Sequence, residues 1–382
     1  MKFNITNVKK YLPTTIFCSF IGFMMLMFFV LPKYDYSPNE KRFLQDMPTA
    51  TVKSVFSGDF GQEFEKYLSD HFQWRTFFVG FNAYYDLFSG RNGANGVYKC
   101  KDHYIVNKPI TYNSNSLDKN IKRFNKFSKI VEKDLTFMIV PSTGYIMHDV
   151  LPKVHLSYND NSILNKIKHN ISEGSVFIDL SEEFQKSKDS TQIYYKTDHH
   201  WTTNGSYIAY TELCKRFNIS PINKNTFDIE KYDGFFGTTY SRGAWWFTSK
   251  PDILEVWKNK NGYDVNVTID DGSQGKKQSK SMFFEQHLNN MDKYPVFLDG
   301  NHGLVKITNN RVNSGSLLAL KDSFGHSIAP FLTEHYRDIY LVDLRYYKSP
   351  VSELVKSNNI DKVIVIYGID NIVNDSNISW LK

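Results

Sequence analysis

The chain has 382 residues, of which 41% are hydrophobic and 16% aromatic, enough to bury the core of one large domain with appended segments. Its formal net charge is +6, and the lysines and arginines are spread along the sequence without a basic block. Nucleic-acid binding is therefore not expected, because it needs a concentrated basic surface. A mildly basic balance suits an anionic cell surface equally well.

The N-terminal region carries an uncharged run over 14–31, preceded by Lys2, Lys9 and Lys10. At ~1.5 Å per residue this run is just long enough to cross the ~30 Å hydrocarbon core of a bilayer. The lysines predict a cytoplasmic tail and transmembrane anchor over 1–33, with the rest of the chain outside the cell membrane. A cleaved signal peptide is the alternative, but no small residues typical of a cleavage site follow the run.

The three cysteines are Cys18, Cys100 and Cys214. Their number and spacing fit neither a disulfide framework nor a zinc site. Cys18 lies in the apolar run, and we expect the other two to be free thiols, although the sequence leaves their pairing open.

The segment 34–115 follows the apolar run and has three parts. Residues 34–58 show no sustained period and predict a tether. Residues 59–90 carry two aromatic-rich stripes at helical spacing, which predict two helices with packed faces. Residues 96–106 alternate around Lys101 and Asp102 and predict a hairpin.

The remainder, 116–382, alternates amphipathic helical stretches with short apolar strands, which is typical of βαβ units. Parallel strands are predicted near 136–141, 175–180, 316–321, 338–343 and 362–367. The alternation breaks over about 227–310, which we interpret as an inserted region of short strands and loops. The predicted fold class is α/β, with a parallel sheet flanked by helices.

The stretch LLALKDSFGHS places Ser323 directly after one predicted buried strand and at a helix start. Sites in open parallel sheets form at the carboxyl ends of strands, where a serine hydroxyl can project and helix N–H groups can stabilise an oxyanion. The plainer interpretation is that Asp322 and Ser323 cap the helix, which is the common role of such residues there.

The stretch TDHHWT adds the partners that a serine nucleophile needs. In an extended segment Asp198 and His200 face one side and His199 the other. A carboxylate that orients an imidazole base is the arrangement that activates a hydroxyl. The interpretation as a metal site is weaker, because no second pair of ligands lies nearby in the sequence. His302 and His326 are possible distant ligands, and no metal or cofactor is expected. A purely structural turn is the third interpretation.

The two stretches, TDHHWTTNG and KDSFGHS, together resemble the DHHW protein family, which is similar to the SGNH-like domains of alginate-type polysaccharide O-acetyltransferases. The resemblance covers most of the chain after the apolar run. It implies an SGNH-hydrolase-like sheet. The further stretches that fit the family pattern are YSPNEKRFL, GVYKCKDHYI, FGTTYSRGAWWF, FLDGNHGLVKI and VDLRYY.

The resemblance implies a catalytic triad of Ser323, His200 and Asp198, the same His that the alternation argument selects. One departure is Lys321, which stands where the family's G-D-S motif has glycine. Oxyanion donors are expected from the Ser323 N–H and from glycine and asparagine in LDGNHG or FFGTT. The residues predicted to form the oxyanion hole, to wall the pocket (Trp201) or to contact acceptor sugar are Gly300, Asn301, Gly237, Tyr240, Trp201, Arg242, Trp245, Trp246 and Arg345. An ordinary loop or structural role is the alternative for these residues.

The expected function is therefore a membrane-anchored extracytoplasmic O-acetyltransferase acting on a cell-surface polysaccharide. The resemblance implies a membrane-bound O-acyltransferase partner that supplies acetyl groups. A carbohydrate esterase with the same triad is the rival enzyme, and a non-catalytic envelope-assembly or glycan-binding protein is the rival from another class.

Overall fold

The computed structural model describes residues 5–272 and 275–381. The chain divides into two compact units. The smaller unit comprises residues 1–91 with 244–247, and the larger comprises residues 92–243 and 248–382.

The smaller unit begins with a long apolar helix. This helix, α1 (Ile5–Val30), contains the stretch Tyr11–Val30, which is long and apolar enough to cross a membrane. The elements that follow are β1 (Tyr36–Ser37), β2 (Arg42–Phe43), α2 (Val52–Ser57), α3 (Asp59–Asp70) and α4 (Arg75–Phe88). The two predicted helices of 59–90 are thus present, separated by a short turn.

The predicted tether is more ordered than its sequence suggests. Arg42 donates to both carboxylate oxygens of Asp70, which is 6% exposed, and the Gln45 N–H donates to the same carboxylate at 2.9 Å. Local periodicity does not predict this attachment, because Arg42 and Asp70 are 28 positions apart in the sequence. The segment around 36–45 is therefore fixed to the end of α3.

The larger unit contains the elements β3 to β15 and α5 to α13. The strands are β3 (Gly93–Ala94), β4 (Val97–Lys99), β5 (Ile105–Asn107), β6 (Leu135–Val140), β7 (Val176–Asp179), β8 (Phe227–Phe235), β9 (Asp252–Asn259), β10 (Val265–Asp270), β11 (Lys276–Ser279), β12 (Leu304–Asn309), β13 (Ser316–Lys321), β14 (Asp338–Val342) and β15 (Lys362–Gly368). The helices are α5 (Ser114–Val131), α6 (Thr143–Ile146), α7 (Asp160–Asn170), α8 (Ser181–Ser187), α9 (Thr203–Phe217), α10 (Thr238–Gly243), α11 (Gly325–Leu332), α12 (Val351–Ser357) and α13 (Ile369–Asn374).

The main sheet has the strand order β11-β10-β12-β14-β13-β15-β6-β7. The five strands from β14 to β7 are parallel and coincide with the five predicted from the sequence. Helices cover both faces, as alternate residues of β13 show: Leu317 and Ala319 pack with α9 and α11, whereas Leu318 and Leu320 pack with α5 and α12. The predicted α/β class is confirmed.

The inserted region is not separate from this sheet. β10, β11 and β12 extend it through antiparallel pairing, with Val305 of β12 opposite Leu341 of β14. β8 and β9 form a two-stranded sheet of their own. The predicted hairpin is present as β4 and β5, and it belongs to the larger unit: the Ile105 N–H donates to the Lys196 carbonyl at 2.7 Å.

The carboxyl edge of the parallel strands is where the site residues gather. β13 ends at Lys321, β15 at Gly368 and β6 at Val140, and all three strands run in the same direction. Loops that leave one edge of a parallel sheet meet in space. The segment that carries Ser323 therefore lies beside the turns that follow β15 and β6.

Candidate functional site

Ser323 lies in the tight turn between β13 and α11. The helix has no side-chain cap at its first turn, since its preceding residue is Phe324 and the Ser323 hydroxyl points elsewhere. The capping interpretation of Ser323 therefore fails in the structure. Among the described residues, no hydrogen bond occupies the Ser323 N–H, which leaves it available to stabilise an oxyanion.

Asp322 holds this turn in place through three hydrogen bonds. Its Oδ1 accepts from the Phe324 N–H at 3.0 Å, and its Oδ2 accepts from the Gly368 N–H and the Asn371 side-chain amide at 2.7 Å each. The carboxyl group is 1% exposed, and burial raises the pKa of Asp322. Asp322 thus fastens the serine turn to the end of the neighbouring strand β15.

The loop that carries Asp198 and His200 is closed at its base. Tyr194 and Trp201 form an isolated antiparallel bridge, and the Thr202 N–H donates to the Ile193 carbonyl at 2.8 Å. The Thr202 side chain accepts from the Gly205 N–H at 3.2 Å and so caps α9. The loop is therefore held between a bridge and a capped helix start, which limits its freedom to move.

A continuous hydrogen-bonded relay joins the three residues predicted as a triad. His200 Nδ1 donates to Asp198 Oδ1, and the His200 backbone N–H donates to the same oxygen at 2.9 Å. His200 Nε2 accepts from Ser323 Oγ at 2.6 Å. Asp198 thereby fixes the imidazole tautomer that leaves Nε2 free to take the serine proton, which is the arrangement of a Ser-His-Asp triad.

The second oxygen of Asp198 is held by α10. Asp198 Oδ2 accepts from the Thr238 N–H at 2.6 Å and from Thr238 Oγ1 at 3.0 Å. A Cβ atom on Gly237 would lie 2.1 Å from Asp198 Cβ, so only glycine allows this approach. Gly237 was predicted as an oxyanion donor, but the structure places it against the acid of the relay.

The His200 ring is packed on both sides. It stacks on Tyr294 with ring centroids 4.0 Å apart and an interplanar angle of 6°, and it meets the Phe324 ring edge-on at 5.1 Å. The Tyr294 hydroxyl donates to the Ser323 carbonyl at 3.0 Å. Tyr294 therefore positions the base and the serine backbone together, although it comes from the inserted region.

His199 does not point away from the relay as the alternation argument predicts. Residues 198–200 form a bend instead of an extended strand, and the His199 and His200 ring centroids are 3.9 Å apart. His199 Nδ1 bonds to Thr238 Oγ1 at 2.6 Å. His199 thus shares a partner with Asp198 and lies beside the pocket described below.

A metal ion is the other ligand to consider at this cluster. One ligand atom from each of Asp198, His199 and His200 lies within 4.8 Å of the others. Four of the candidate ligand atoms are already engaged: both Asp198 oxygens, His199 Nδ1 and His200 Nε2 have hydrogen-bond partners. Metal binding through these atoms would have to break their hydrogen bonds, so the geometry favours proton transfer.

Lys321 occupies the position of the family's glycine and is fully buried. Its Nζ lies 2.7 Å from His326 Nε2 and 3.6 Å from Asp343 Oδ2. Burial lowers the pKa of Lys321 to about 8, and the nearby Asp343 carboxylate limits the fall. Lys321 thus lies two residues before Ser323 with its side chain buried, and its hydrogen-bond and ion-pair partners are His326 and Asp343.

A polar cavity of about 210 Å³ lies beside the relay, at the carboxyl edge of β6 and β15. His199 and Phe324, which both contact the His200 ring, are among its lining residues, and its charged groups include Arg242 and Asp370. Burial raises the pKa of Asp370 to about 6, with the Asp160 carboxylate adding to the rise and Arg242 opposing it. The other lining residues are Val106, Asn107, Lys108, Val140, Pro141, Ser142, Thr143, Gly144, Tyr158, Gly368, Ile369 and Asn371.

The residues predicted as oxyanion donors in LDGNHG form a different cluster. Asn301 Oδ1 accepts from Arg345 at 3.1 Å, and Arg345 pairs with Asp343 at 2.6 Å. Gly300 takes a left-handed turn at φ +92°. In the part of the chain that the structure describes, no hydrogen bond links Gly300, Asn301 or Arg345 to Ser323 or His200. The role of Gly300 and Asn301 as oxyanion donors stays a prediction, as does contact of Arg345 with acceptor sugar.

The aromatic residues predicted to contact sugar are mostly packed inside. Trp201 is fully buried, donates to Ser327 Oγ at 2.8 Å and packs on Phe324, so it is a core residue and not a pocket wall. Tyr240 is 4% exposed and stacks on Phe236. Trp245 is buried and donates to the Ala83 carbonyl in the smaller unit. The bend at 198–200 turns Trp201 inward, which the sequence did not indicate.

Sequence reasoning missed four residues of this region: Thr238, Tyr294, Asp370 and Asn371. Thr238 could have been found from its neighbour, because it directly follows Gly237 in the FFGTT stretch that the sequence analysis had already selected. Asp370 and Asn371 follow the predicted strand that ends near 367, and the strand-end rule applied to Ser323 would have found them. Tyr294 gave no signal, because its site role depends on the fold of the inserted region.

Comparisons with known proteins show the family and the fold of this chain. A family model described as DHHW protein matches residues 95–342, which is more than half of the chain. A DHHW family protein from Eubacterium siraeum has a TM-score of 0.65 and 22% identity, covering 75% of this chain and 96% of that one.

A second similar structure is PatB1 from Bacillus cereus with a sulfonyl adduct, which has a TM-score of 0.65 and 20% identity over 75% of this chain and 98% of that one. Another PatB1 structure has a TM-score of 0.62 and 21% identity, over 72% and 97% of the two chains. A search of curated proteins found no match. The structural likenesses establish a common fold, and the match of the family model over 95–342 shows that this chain belongs to the DHHW protein family.

Proposed function

We propose that this protein is a membrane-anchored, extracytoplasmic O-acetyltransferase that acts on a cell-surface polysaccharide. The observation that carries the proposal is the relay from Asp198 through His200 to Ser323. A buried carboxylate, an oriented imidazole and a hydroxyl in hydrogen-bonding contact are what acyl transfer through a serine ester needs.

The proposed reaction has two halves, which these contacts support. His200 Nε2 takes the Ser323 proton as Oγ attacks the acetyl carbonyl of the donor, and His200 then returns the proton to the leaving group. An acceptor hydroxyl next gives its proton to His200 and attacks the acetyl ester, and Ser323 regains a proton as it departs. Asp198 stabilises the imidazolium in both halves.

The proposed acceptor subsite is the polar cavity beside His199 and Phe324. Its volume of about 210 Å³ is of the order of one sugar ring, and its lining offers amide, carboxylate and guanidinium groups from Asn371, Asp370 and Arg242. A few convergent polar groups of this kind fix the orientation of a ligand. In this proposal a ring bound there directs one hydroxyl past His199 and Phe324 towards Ser323.

The acetyl donor must reach Ser323 on the outer side of the membrane if α1 is an anchor with its N-terminus inside. We propose that a membrane-bound O-acyltransferase supplies the acetyl group. The apolar stretch Tyr11–Val30 supports the anchor by its length and composition.

The test is covalent labelling of the full-length chain in lipid nanodiscs. An activated acetyl ester, supplied without acceptor, should add one acetyl group that peptide mass spectrometry maps to Ser323. Because hydrolysis can outrun detection, a serine-directed sulfonyl fluoride is run in parallel. Ser323→Ala is the matched control, and it should keep the fold because the hydroxyl does not cap α11.

Candidate oligosaccharides are then added to the acetyl ester. Faster loss of the ester together with acetylated sugar supports transfer, whereas ester loss without acetylated sugar favours the esterase. Absence of label at Ser323 from both reagents in folded protein contradicts the enzyme and favours the non-catalytic envelope protein.

A further inference from the structure

Helix α4 in the smaller unit presents an exposed row of aromatic side chains. Trp74 directly precedes α4, and Phe77, Phe81, Tyr85 and Phe88 within it recur at intervals of three or four residues, which places these four on one face of the helix. We call this row the α4 aromatic stripe. Its side chains are 50%, 52%, 60%, 61% and 93% exposed, respectively. A contiguous exposed row of large aromatics marks an interaction surface.

The opposite face of α4 is already packed. Gly80 and Ala83 are buried, and the Ala83 carbonyl accepts from Trp245 Nε1 at 3.1 Å. A Cβ atom on Gly80 would lie 3.4 Å from the Trp246 ring. The stripe is therefore the outward face of a fixed helix, and α4 cannot bury it by turning over without losing these contacts.

The stripe adjoins the helix that can cross a membrane. Trp74 stacks on Phe23 of α1, with ring centroids 6.0 Å apart, and Tyr67 of α3 meets Phe28 edge-on at 6.1 Å. Phe23 is seven residues before Val30, the last residue of α1, which corresponds to about 10 Å along the helix axis. If α1 crosses the bilayer, Trp74 lies about 10 Å inside its outer end.

The charges next to Trp74 are neutralised within the smaller unit. Arg75 pairs with Glu40 and lies 3.9 Å from Asp70, while Arg42 pairs with Glu40 and Asp70. Ionisable groups near a bilayer are tolerated where they pair with one another. These four residues therefore do not prevent the start of α4 from lying at the depth of the lipid headgroups.

We propose that the α4 aromatic stripe is embedded in the outer leaflet of the lipid bilayer beside α1. The stacking of Trp74 on Phe23 makes the stripe continuous with the membrane-spanning surface of α1. Phenylalanine, tryptophan and tyrosine are the residues that favour the membrane–water interface, and an interfacial helix buries its apolar face about 5–10 Å deep. The smaller unit then contacts the membrane through two elements, α1 and the α4 aromatic stripe.

The choice of lipid over a protein partner rests on this continuity. A protein partner or a second copy of the chain would also have to enter the bilayer to cover Trp74 beside Phe23. Lipid meets the same surface without a further component. The proposal is independent of the acetyltransferase activity, since its test measures no turnover.

The test places the photocrosslinker p-benzoylphenylalanine at single positions of the full-length chain in lipid nanodiscs. The test positions are Phe81 and Phe88, where a larger aromatic ring at an exposed site keeps the fold. The matched control is Asn82, which is also exposed and lies about 100° around the helix from Phe81. Phe17, an exposed residue of α1, reports lipid contact in the same preparation.

Illumination should give lipid adducts, seen as a mass increase of one phospholipid, at Phe81 and Phe88 and at least several-fold fewer at Asn82. Adducts at Asn82 as abundant as those at Phe81 would overturn the proposal, because they would indicate non-selective proximity to lipid. Crosslinks from Phe81 to a second copy of the chain, without lipid adducts, would overturn it in favour of self-association.

Discussion

His200 Nε2 lies 2.6 Å from Ser323 Oγ, although the two residues are 123 positions apart in the sequence. Separate contacts hold each side of this hydrogen bond in place: one set fixes the turn that carries Ser323, and another fixes the loop that carries Asp198 and His200. Asp322 ties the turn to Gly368, and the bridge between Tyr194 and Trp201 closes the loop. Preorganisation of this kind avoids the cost of assembling the reacting groups during turnover.

The first prediction separates the two histidines. His200→Ala should lower turnover of an activated acetyl ester by about 10³-fold or more, because triad members act as a unit. His199→Ala should lower it by less than about tenfold, since His199 bonds to Thr238 whereas Ser323 Oγ bonds to His200. The measurement is steady-state hydrolysis by the full-length chain, with circular dichroism as the check on folding. Equal losses, or recovery of activity with added zinc, would favour a metal site.

The second prediction concerns Gly237. In Gly237→Ala the new methyl group would lie 2.2 Å from Asp198 Oδ2, so the carboxylate must move away from His200. We expect kcat for the acetyl ester to fall about 10- to 100-fold with little change in KM, because a displacement of about 1 Å at a catalytic group has effects of this size. Gly61→Ala is the control, because a Cβ there meets open space. An unchanged kcat would show that Gly237 does not position the acid.

The sequence predicted the parallel half of the sheet because each strand is a short apolar run with flanking helices. The placement of Ser323 at a strand end followed from the same pattern. The antiparallel half was not predicted to join the sheet, although β10 and β12 alternate buried and half-buried residues. Alternation identifies a strand, but it does not specify that Val305 pairs with Leu341.

Within the candidate site, residue spacing alone predicted the pairing of near neighbours, and the link from His200 to Ser323 came from the resemblance to the family. Asp198 and His200 are two positions apart, and their pairing follows from local geometry. Tyr294 stacks on His200 from the inserted region, and Asp370 reaches the cavity from the turn after β15. These placements depend on long-range packing, which also turned Trp201 from a predicted pocket wall into a core residue.

The third prediction concerns buried Lys321 and uses the pH dependence of stability. Its pKa falls from 10.5 in the unfolded chain to about 8 in the fold, so between these values the unfolded state binds the extra proton. Stability is therefore gained as pH rises from 8 to 10.5 and lost as pH falls through 8. Relative to Lys321→Met, the free energy of unfolding of the native chain should rise by about 3 kcal/mol over this interval.

Urea unfolding of the detergent-solubilised chain, followed by tryptophan fluorescence, measures this difference. The comparison with Lys321→Met removes the contribution of other groups that titrate in both proteins. Lys129→Met, which replaces an exposed lysine of α5, should show no such rise. A flat difference for Lys321→Met between pH 8 and pH 10.5 would mean that the buried lysine keeps its ordinary pKa.

The last prediction tests the acceptor subsite through Asp370. An ionised carboxylate accepts stronger hydrogen bonds from sugar hydroxyls than a neutral acid does. Because the pKa of Asp370 is raised to about 6, the KM for an acceptor oligosaccharide should fall as pH rises through about 6. In Asp370→Asn this change in KM should be absent, and KM at pH 7 should be about 10- to 100-fold higher, as for loss of one charged hydrogen bond.

The readout that separates binding from chemistry is acetyl-ester hydrolysis without acceptor. Asp370→Asn should leave this rate within about twofold of the native rate, because Asp370 lines the cavity whereas the hydrogen bonds of the relay join Asp198, His200 and Ser323. Asp228→Asn, which changes an exposed carboxylate of β8, is the matched control and should keep both KM and its pH dependence. If Asp370→Asn retains the native acceptor KM while hydrolysis stays normal, the cavity beside His199 is not the acceptor subsite. The sugar must then approach Ser323 from another side, with the relay itself unaffected.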